Sequence, residues 1–582
     1  MNGLTDPTYK YADYISSSTP MTVNWNVGSI ADGQYAMIAG GSEINAGVAV
    51  FRTSTLIVGL NATGDQVLKG TAGDDDVVGG GFVDFAQLGS GDDFVMLGTG
   101  DDAATGGAGD DVLDGGTGAD ELIGGIGNDM YYVDTMLDVV VEMSGQGADV
   151  VVTRGSYALA AGTSIEELRT SSQGSTAALS LTGNELDNVI TGNNGSNTLS
   201  GGAGNDTLDG LGGIDTASYA DATSSVAVGL ASTGVQDTGG AGLDRLTRIE
   251  NLVGSAFADT LTGSAGNNQL FGNDGSDVLN GGKGFDRLDG GAGSDTLNGG
   301  ADDDVLIVDG LGDVVIETAS GGIADRIMAR ASYKLDTGVH VEFLTTTSST
   351  STTALALVGN EFSQEIVGNY GTNTLRDGAG VADLLRGLSG NDVYQVYNSA
   401  TTIQEGVAQG ASDRVAAGVD YALGAGVHVE TMTTNGATGT SDISLTGNEF
   451  AQTIIGNAGD NRIDGGGSVD TLQGLDGADT FAFTTTPGLG NVDTILDFDA
   501  AADKIEFDDV VFTALTTLGT LASGQFRANL TGLSQDADDF IIYETDTGKL
   551  FYDANASAGG PGVHFATIAV GLSLANNNFI VL

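Results

Sequence analysis

The chain has 582 residues, no cysteine, and 19 Lys plus Arg against 78 Asp plus Glu, for a formal net charge of −59. That acidity excludes nucleic acid and anionic lipid as main partners and favours cations, while the absence of cysteine excludes disulfide stapling. The 95 glycines do not fall at every third position, which excludes collagen, and the 40 % hydrophobic content argues against disorder.

Residues 1–66 stand apart as a small β-rich segment. From Met1 to Phe51 the only basic residue is Lys10. No apolar stretch follows it, so no amino-terminal export signal is expected, and no apolar run approaches membrane length. Strand-like alternation runs over Thr22-Val23-Asn24-Trp25-Asn26-Val27, with apolar runs at Val48-Ala49-Val50-Phe51 and Leu56-Ile57-Val58. Trp25, Tyr9, Tyr11, Tyr14 and Tyr35 are concentrated here. Two readings stand: a cap over an exposed strand edge, or a docking and self-assembly segment.

From Gly70 to Tyr132 the sequence keeps a nine-residue register, G-G-x-G-x-D-x-U-x with U apolar. This first array (67–135) places Asp75, Asp84, Asp93, Asp102, Asp111, Asp120 and Asp129 at position six. A spacer (136–182) leads to array two (183–218), with Asn188, Asn197, Asp206 and Asp215. Spacer 219–253 precedes array three (254–309), with Asp259, Asn268, Asp277, Asp286, Asp295 and Asp304. Spacer 310–358 precedes array four (359–395), with Gln364, Asn373, Asp383 and Asp392 and one inserted residue before Asp383. Spacer 396–446 precedes array five (447–490), with Gln452, Asn461, Asp470 and Asp479, and a β-rich region (491–582) follows.

The unit dictates an all-β fold. Its x-U-x segment is a three-residue strand with the middle side chain inward. Its glycines permit the positive φ and close backbone approach of a tight turn. Two units make one flattened coil, so residues eighteen apart stack roughly 4.8 Å from coil to coil. Asp75, Asp93, Asp111 and Asp129 then line one edge, and Asp84, Asp102 and Asp120 the other. Carboxylates about 5 Å apart repel by roughly 3 kcal/mol at an effective dielectric near 20. A hard dication taking roughly 6–8 oxygen ligands reverses that sign, and flexible carbonyl-rich loops suit Ca2+ better than Mg2+. One apolar residue per nine makes a thin core, so folding is expected to be coupled to calcium binding.

The nonapeptide resembles the repeat of RTX proteins, over nearly everything after Gly70. The resemblance implies a right-handed parallel β-roll or β-solenoid with calcium between its turns. It also implies that the position-six Asp and the carbonyls of positions two and four hold the metal. The candidate metal ligands are therefore the position-six aspartates named above, from Asp75 to Asp479. Position six opens arrays two, four and five as Asn or Gln, so those first coils are expected to bind weakly or not at all.

Three spacers are copies. Each runs through Tyr132-Val133-Asp134, Ile307-Val308-Asp309 or Gln395-Val396-Tyr397, then Val139-Val140-Val141-Glu142, Val314-Val315-Ile316-Glu317 or Thr402-Ile403-Gln404-Glu405. A strand at Tyr157, Tyr333 or Tyr421 follows, and each copy ends near Gly183, Gly359 or Gly447. They are expected to continue the solenoid as wider, calcium-poor coils, the alternative being separate lobes; Thr216 to Val253 plays a similar part. Val339-His340-Val341-Glu342 and Val427-His428-Val429-Glu430 invite a metal or acid–base reading. The first copy has Ser164 at that place, so partly exposed strand histidines are expected, and His564 is equally bland.

The carboxyl region carries Asp493-Thr494-Ile495-Leu496-Asp497-Phe498 and ends Phe579-Ile580-Val581-Leu582. It resembles the terminal region of RTX proteins exported by type I secretion, which implies that machinery as a partner. It also implies an extracellular location at a Gram-negative cell surface. There is no H-E-x-x-H and no G-x-S-x-G, so neither a zinc protease nor a serine hydrolase is expected. The expected function is a non-enzymatic, self-assembling surface layer, filament or coat whose partners are copies of itself, with cell-surface polysaccharide a further candidate partner. The alternative is a soluble adhesin or toxin-like binder.

Overall fold

A computed structural model describes residues 38–45, 48–58, 64–556 and 562–582. The Thr22–Val27 alternation, Trp25 and the tyrosines before residue 38 lie outside the described residues. The described chain is all-β, with only two 3-10 turns, Ser523–Gln525 and Asn576–Asn578. It forms two compact units, Met1–Ser171 and Ser172–Leu582.

In the first unit alternate nonapeptides build two parallel sheets. One stacks Asp75–Val78, Phe94–Thr99, Val112–Thr117 and Met130–Val133; the other stacks Gln66–Lys69, Asp84–Ser90, Ala103–Ala108, Glu121–Ile126 and Val139–Val141. The register is one coil, as the sequence requires: Val77 pairs with Val95, Val95 with Leu113, and Leu113 with Tyr131. These inward residues are fully buried. Strands here outgrow three residues because the pairing runs on into the turn, with Gly98 opposite Gly116 and Thr99 opposite Thr117. Ahead of the array, Ile38–Asn45 and Val48–Val58 form an antiparallel hairpin. Thr55 of its second strand pairs with Asp75, so the hairpin covers the edge of the first strand of that sheet.

In the second unit many array strands are the expected three residues with the middle one buried, as at Thr198–Ser200, Thr207–Asp209 and Thr260–Thr262, while Val278–Lys283 and Thr296–Ala301 run to six. The core is a single file of large side chains: Leu252, Leu270, Leu288 and Leu306 stack along one sheet and Leu261, Leu279 and Leu297 along another, all fully buried.

The copied spacers continue the stack, as expected, and form no separate lobes. Tyr131, Leu306 and Tyr394 pair with Val151, Ile327 and Val415, and these pair in turn with Leu168, Leu344 and Met432. The coils are not uniformly wider. The first takes 20 or 21 residues, but the second takes 17, one fewer than an array coil. Each is pinned by the predicted tyrosine: the hydroxyls of Tyr157, Tyr333 and Tyr421 donate to the carbonyls of Asp138, Asp313 and Thr401.

Spacer 219–253 is different in kind. Ala217 pairs with Leu252 across it, while Gln236–Gly239 and Gly242–Thr247 form an antiparallel hairpin inside it. Its strand Ala227–Gly229 starts a fresh sheet with Thr260–Thr262. At the carboxyl end, Asp493–Ile495 and Lys504–Phe507 extend the stack. A mixed sheet follows around Phe483, Phe507, Phe512 and Phe565, with ring centroids 4.7–6.4 Å apart. That sheet replaces the single-file core with an ordinary globular one.

Gly107 shows why the turns need glycine. Its φ is +127°, and a Cβ there would run into the carbonyl of Gly89 in the coil before it. We expect Gly107→Ala to destabilise the calcium-loaded protein by about 1–3 kcal/mol from the backbone conformation alone, read as a drop of several degrees in thermal midpoint. An unchanged midpoint would contradict the coil-to-coil contact.

Candidate metal centre

Every position-six side chain in the arrays is buried. The pleat that turns the strand's apolar residue inward turns the residue two places earlier inward as well. The backbone N–H of each aspartate then donates to Oδ1 of the aspartate one coil later: Asp75 to Asp93 at 2.7 Å, Asp93 to Asp111 and Asp111 to Asp129 at 2.8 Å. The other edge runs Asp84 to Asp102 to Asp120 at 2.8 Å. The two expected ladders are therefore present, tied through the backbone.

The second carboxylate oxygen divides the candidates. Oδ2 of Asp93, Asp102, Asp111, Asp129, Asp206 and Asp215 is buried with no hydrogen-bond partner, as is Oδ2 of Asp277, Asp286, Asp295, Asp304, Asp392, Asp470 and Asp479. In Asp75, Asp84, Asp259 and Asp383 it accepts from a nearby backbone N–H, those of Thr71, Gly80, Ser255 and Gly378. Asp120 is buried and on the ladder, but its Oδ2 is not among the orphans. The loops that open an array thus satisfy their own side chain, as does Asp383 although it is stacked on Gln364, and the other stacked loops generally do not. Asn and Gln at position six follow the same rule: Asn188, Asn197, Asn268, Asn373 and Asn461 each accept from the N–H four residues earlier. Asp259 opens array three as the one aspartate among the openings of arrays two to five, and Ser255 bonds its carboxylate through N–H and Oγ.

Burial drives these carboxyls upward and neighbouring carboxylates add to it. Asp93, Asp102 and Asp129 rise to about 6, Asp111, Asp206, Asp277, Asp304 and Asp479 to about 7, and Asp470 to about 8. An array of buried, partnerless carboxylate oxygens calls for cations.

The residues fit calcium. A Cβ placed on Gly79 would lie 2.7 Å from Asp84 Oδ2 and 2.6 Å from the carbonyl of Leu97. One point beside a position-one glycine therefore reaches both a carboxylate and a carbonyl of the next coil at close to calcium–oxygen distance. The same pairing recurs at Gly272, facing Asp277 Oδ2 and Gly290 O, and at Gly281, facing Asp286 Oδ2 and Gly299 O. Bound there, Ca2+ would supply the charge that lets stacked coils bury their aspartates. The aspartates and loop carbonyls would hold it, with the ladder N–H bonds fixing each carboxylate's orientation.

Sequence reasoning missed the residues that close each ladder. Asp129, Asp304 and Asp392 donate from N–H to Oδ1 of Asp149, Asp325 and Asp413. Those three donate in turn to Glu166, Glu342 and Glu430. Asp206, Asp215, Asp470 and Asp479 reach Asp244, Glu250, Asp493 and Asp503. The available signal was an acidic residue 20 to 38 residues after the last repeat aspartate, disguised by irregular coil length. The spacers are thus not stripped of acidic ladders. His340 and His428 are half-exposed, as expected, but lie outside strands, in the corner before Phe343–Thr346 and Thr431–Thr434. Their backbone N–H groups donate to the Glu317 and Glu405 carbonyls. His340 stacks on Phe362 at 3.8 Å, and His428 Nδ1 sits 2.9 Å from Glu430 Oε1. His564 lies in strand Val563–Thr567 against the Ala566 carbonyl.

No curated protein matches the chain. The RTX calcium-binding nonapeptide repeat does, in four-copy blocks at residues 69–104, 97–131, 182–217, 253–288, 271–306, 281–315, 358–394 and 446–481. These blocks fall in all five arrays, the same segments whose loops hold the orphaned carboxylates, so the chain carries RTX calcium-binding nonapeptide repeats in every array.

Proposed function

We propose that this is a secreted, calcium-loaded structural protein that self-assembles outside the cell, as a surface layer, filament or coat. The RTX β-roll is a structural and binding fold, and no helix of the described residues is long and apolar enough to cross a membrane. The observation that carries the reading is a second, exposed acidic ladder beside the buried one. Asp74, Asp92 and Asp110 stack outward, each accepting from the coil that follows, at 2.8–3.0 Å. Asp187 and Asp460 repeat the pattern in the second unit. Surface carboxylates in a fixed repeat suit calcium joints between molecules as well as within one.

Electron microscopy of the purified chain with and without Ca2+ tests this. Ordered sheets or filaments only with Ca2+ support it; monomers at high concentration in Ca2+ favour the soluble adhesin or toxin-like binder. Export follows from the same physics. At low calcium the ladders oppose folding, which suits passage of an unfolded chain through a type I machinery, and a calcium-rich exterior at a Gram-negative surface reverses this. Deleting the last sixty residues is expected to abolish export, and unchanged export would refute that route.

A further inference from the structure

Where each copied spacer leaves its array, three buried carboxylates meet. Asp129, Glu142 and Asp149 form one group, Asp304, Glu317 and Asp325 a second, and Asp392, Glu405 and Asp413 a third. In each group one oxygen per residue lies within 4.8 Å of the others. Oxygens bound to a common Ca2+ at 2.3–2.6 Å can be at most about 5.2 Å apart, so each group fits around one ion. The glutamate comes from the spacer, outside the nonapeptide pattern. Glu317 is 3 % exposed, and neither carboxylate oxygen completes a hydrogen bond. The amides of Gly299 and Gly300 face it and only partly offset its burial, which, with Asp325 and Asp304, pushes it up to about 8. Oδ2 of Asp304 and of Asp325, and Oε1 of Glu405, are likewise buried without a partner. A Cβ on Gly321 would lie 2.6 Å from Glu317 Oε2, 3.1 Å from Thr318 O and 3.3 Å from Gly300 O, so carbonyls converge on the same place. In the first and third groups a tyrosine hydroxyl, of Tyr131 or Tyr394, donates to the glutamate; the second has Leu306 there.

We propose that these three junctions are calcium sites of a second type, each made by the last array aspartate, a spacer glutamate and a spacer aspartate. They carry the cation ladder from the regular repeat into the irregular coils. The proposal does not depend on whether the chain assembles. Full-length protein and the variant Glu142→Gln/Glu317→Gln/Glu405→Gln would be dialysed against buffered free Ca2+ and the bound metal counted by atomic emission. The variant is expected to retain β-structure by circular dichroism and to bind three fewer ions per chain, one for each group. An unchanged count means the groups hold protons instead and overturns the proposal. Should the variant fail to fold, Tb3+ serves on chains with all carboxylates intact. Tyrosine-sensitised emission is expected to fall in Tyr131→Phe/Tyr394→Phe, and emission unaffected by that change would also overturn it.

Discussion

Stripped of calcium by a chelator at pH 8, the protein is expected to lose its β-sheet signal across the arrays, and on acidification to about pH 5 without metal to regain much of it. The first half follows from linkage. A site with free ligand at about 100 times its Kd contributes about 2.7 kcal/mol to the folded state. A few such sites match the whole stability of an ordinary domain, about 5–15 kcal/mol. The second half follows from the carboxyls. Burial raises Asp111, Asp206, Asp277, Asp392 and Asp479 to about 7 in the folded chain, whereas unfolded aspartate titrates near 3.9. Between those values the folded form holds more protons than the unfolded one, so metal-free stability falls as pH rises through that window. The penalty is absent below about pH 4 and complete above about pH 8. Calcium-loaded protein should show the opposite trend, because protons compete for its ligands. Circular dichroism at pH 5 and pH 8, with and without chelator, reads all four states. A metal-free chain folded at pH 8, or no better folded at pH 5, would remove the charge ladder as the cause.

The ladder was legible in the sequence because nine-residue periodicity fixes stacking by arithmetic. Asp93 must sit over Asp75 if two units make a coil, and the backbone bond between them confirms it. The same arithmetic could not reach Asp149 or Asp244, which lie 20 and 38 residues beyond their partners. Register there is set by how far the intervening chain loops out. Nor could spacing separate Asp259 from Asp277. Both carry the same motif and both accept at Oδ1 from the coil before, Asp259 from the Val226 N–H and Asp277 from the Asp259 N–H; only Asp259 has a serine four residues earlier, whose N–H and Oγ also satisfy Oδ2. The corners at His340 and His428 escaped for a related reason. Alternating burial, with Val339 and Val341 inside, reads as a strand, yet no neighbouring strand lies in register to pair with it.

The stacked aspartates should also show a reversal of sign. Take Asp93→Asn/Asp111→Asn/Asp129→Asn, which follows one edge of the first array. Asparagine keeps Oδ1, and with it the inter-coil bonds from the N–H groups of Asp75, Asp93 and Asp111. What it removes is charge, together with the buried, partnerless Oδ2 of each residue. Without calcium that is a relief. Repulsion of roughly 3 kcal/mol per neighbouring pair at an effective dielectric near 20 disappears, and the metal-free array should become more stable, with a higher thermal midpoint than the parent. With calcium the same change removes carboxylate ligands, and the midpoint should fall below the parent. The natural coils make the substitution plausible, since Asn188, Asn197 and Asn461 already occupy this position beneath Asp206, Asp215 and Asp479. If the aspartates served only as hydrogen-bond acceptors, asparagine would leave both midpoints unchanged. If they served only to fill space, both would shift in the same direction. Opposite shifts in chelator and in calcium arise only when the buried charge is itself the element that calcium neutralises.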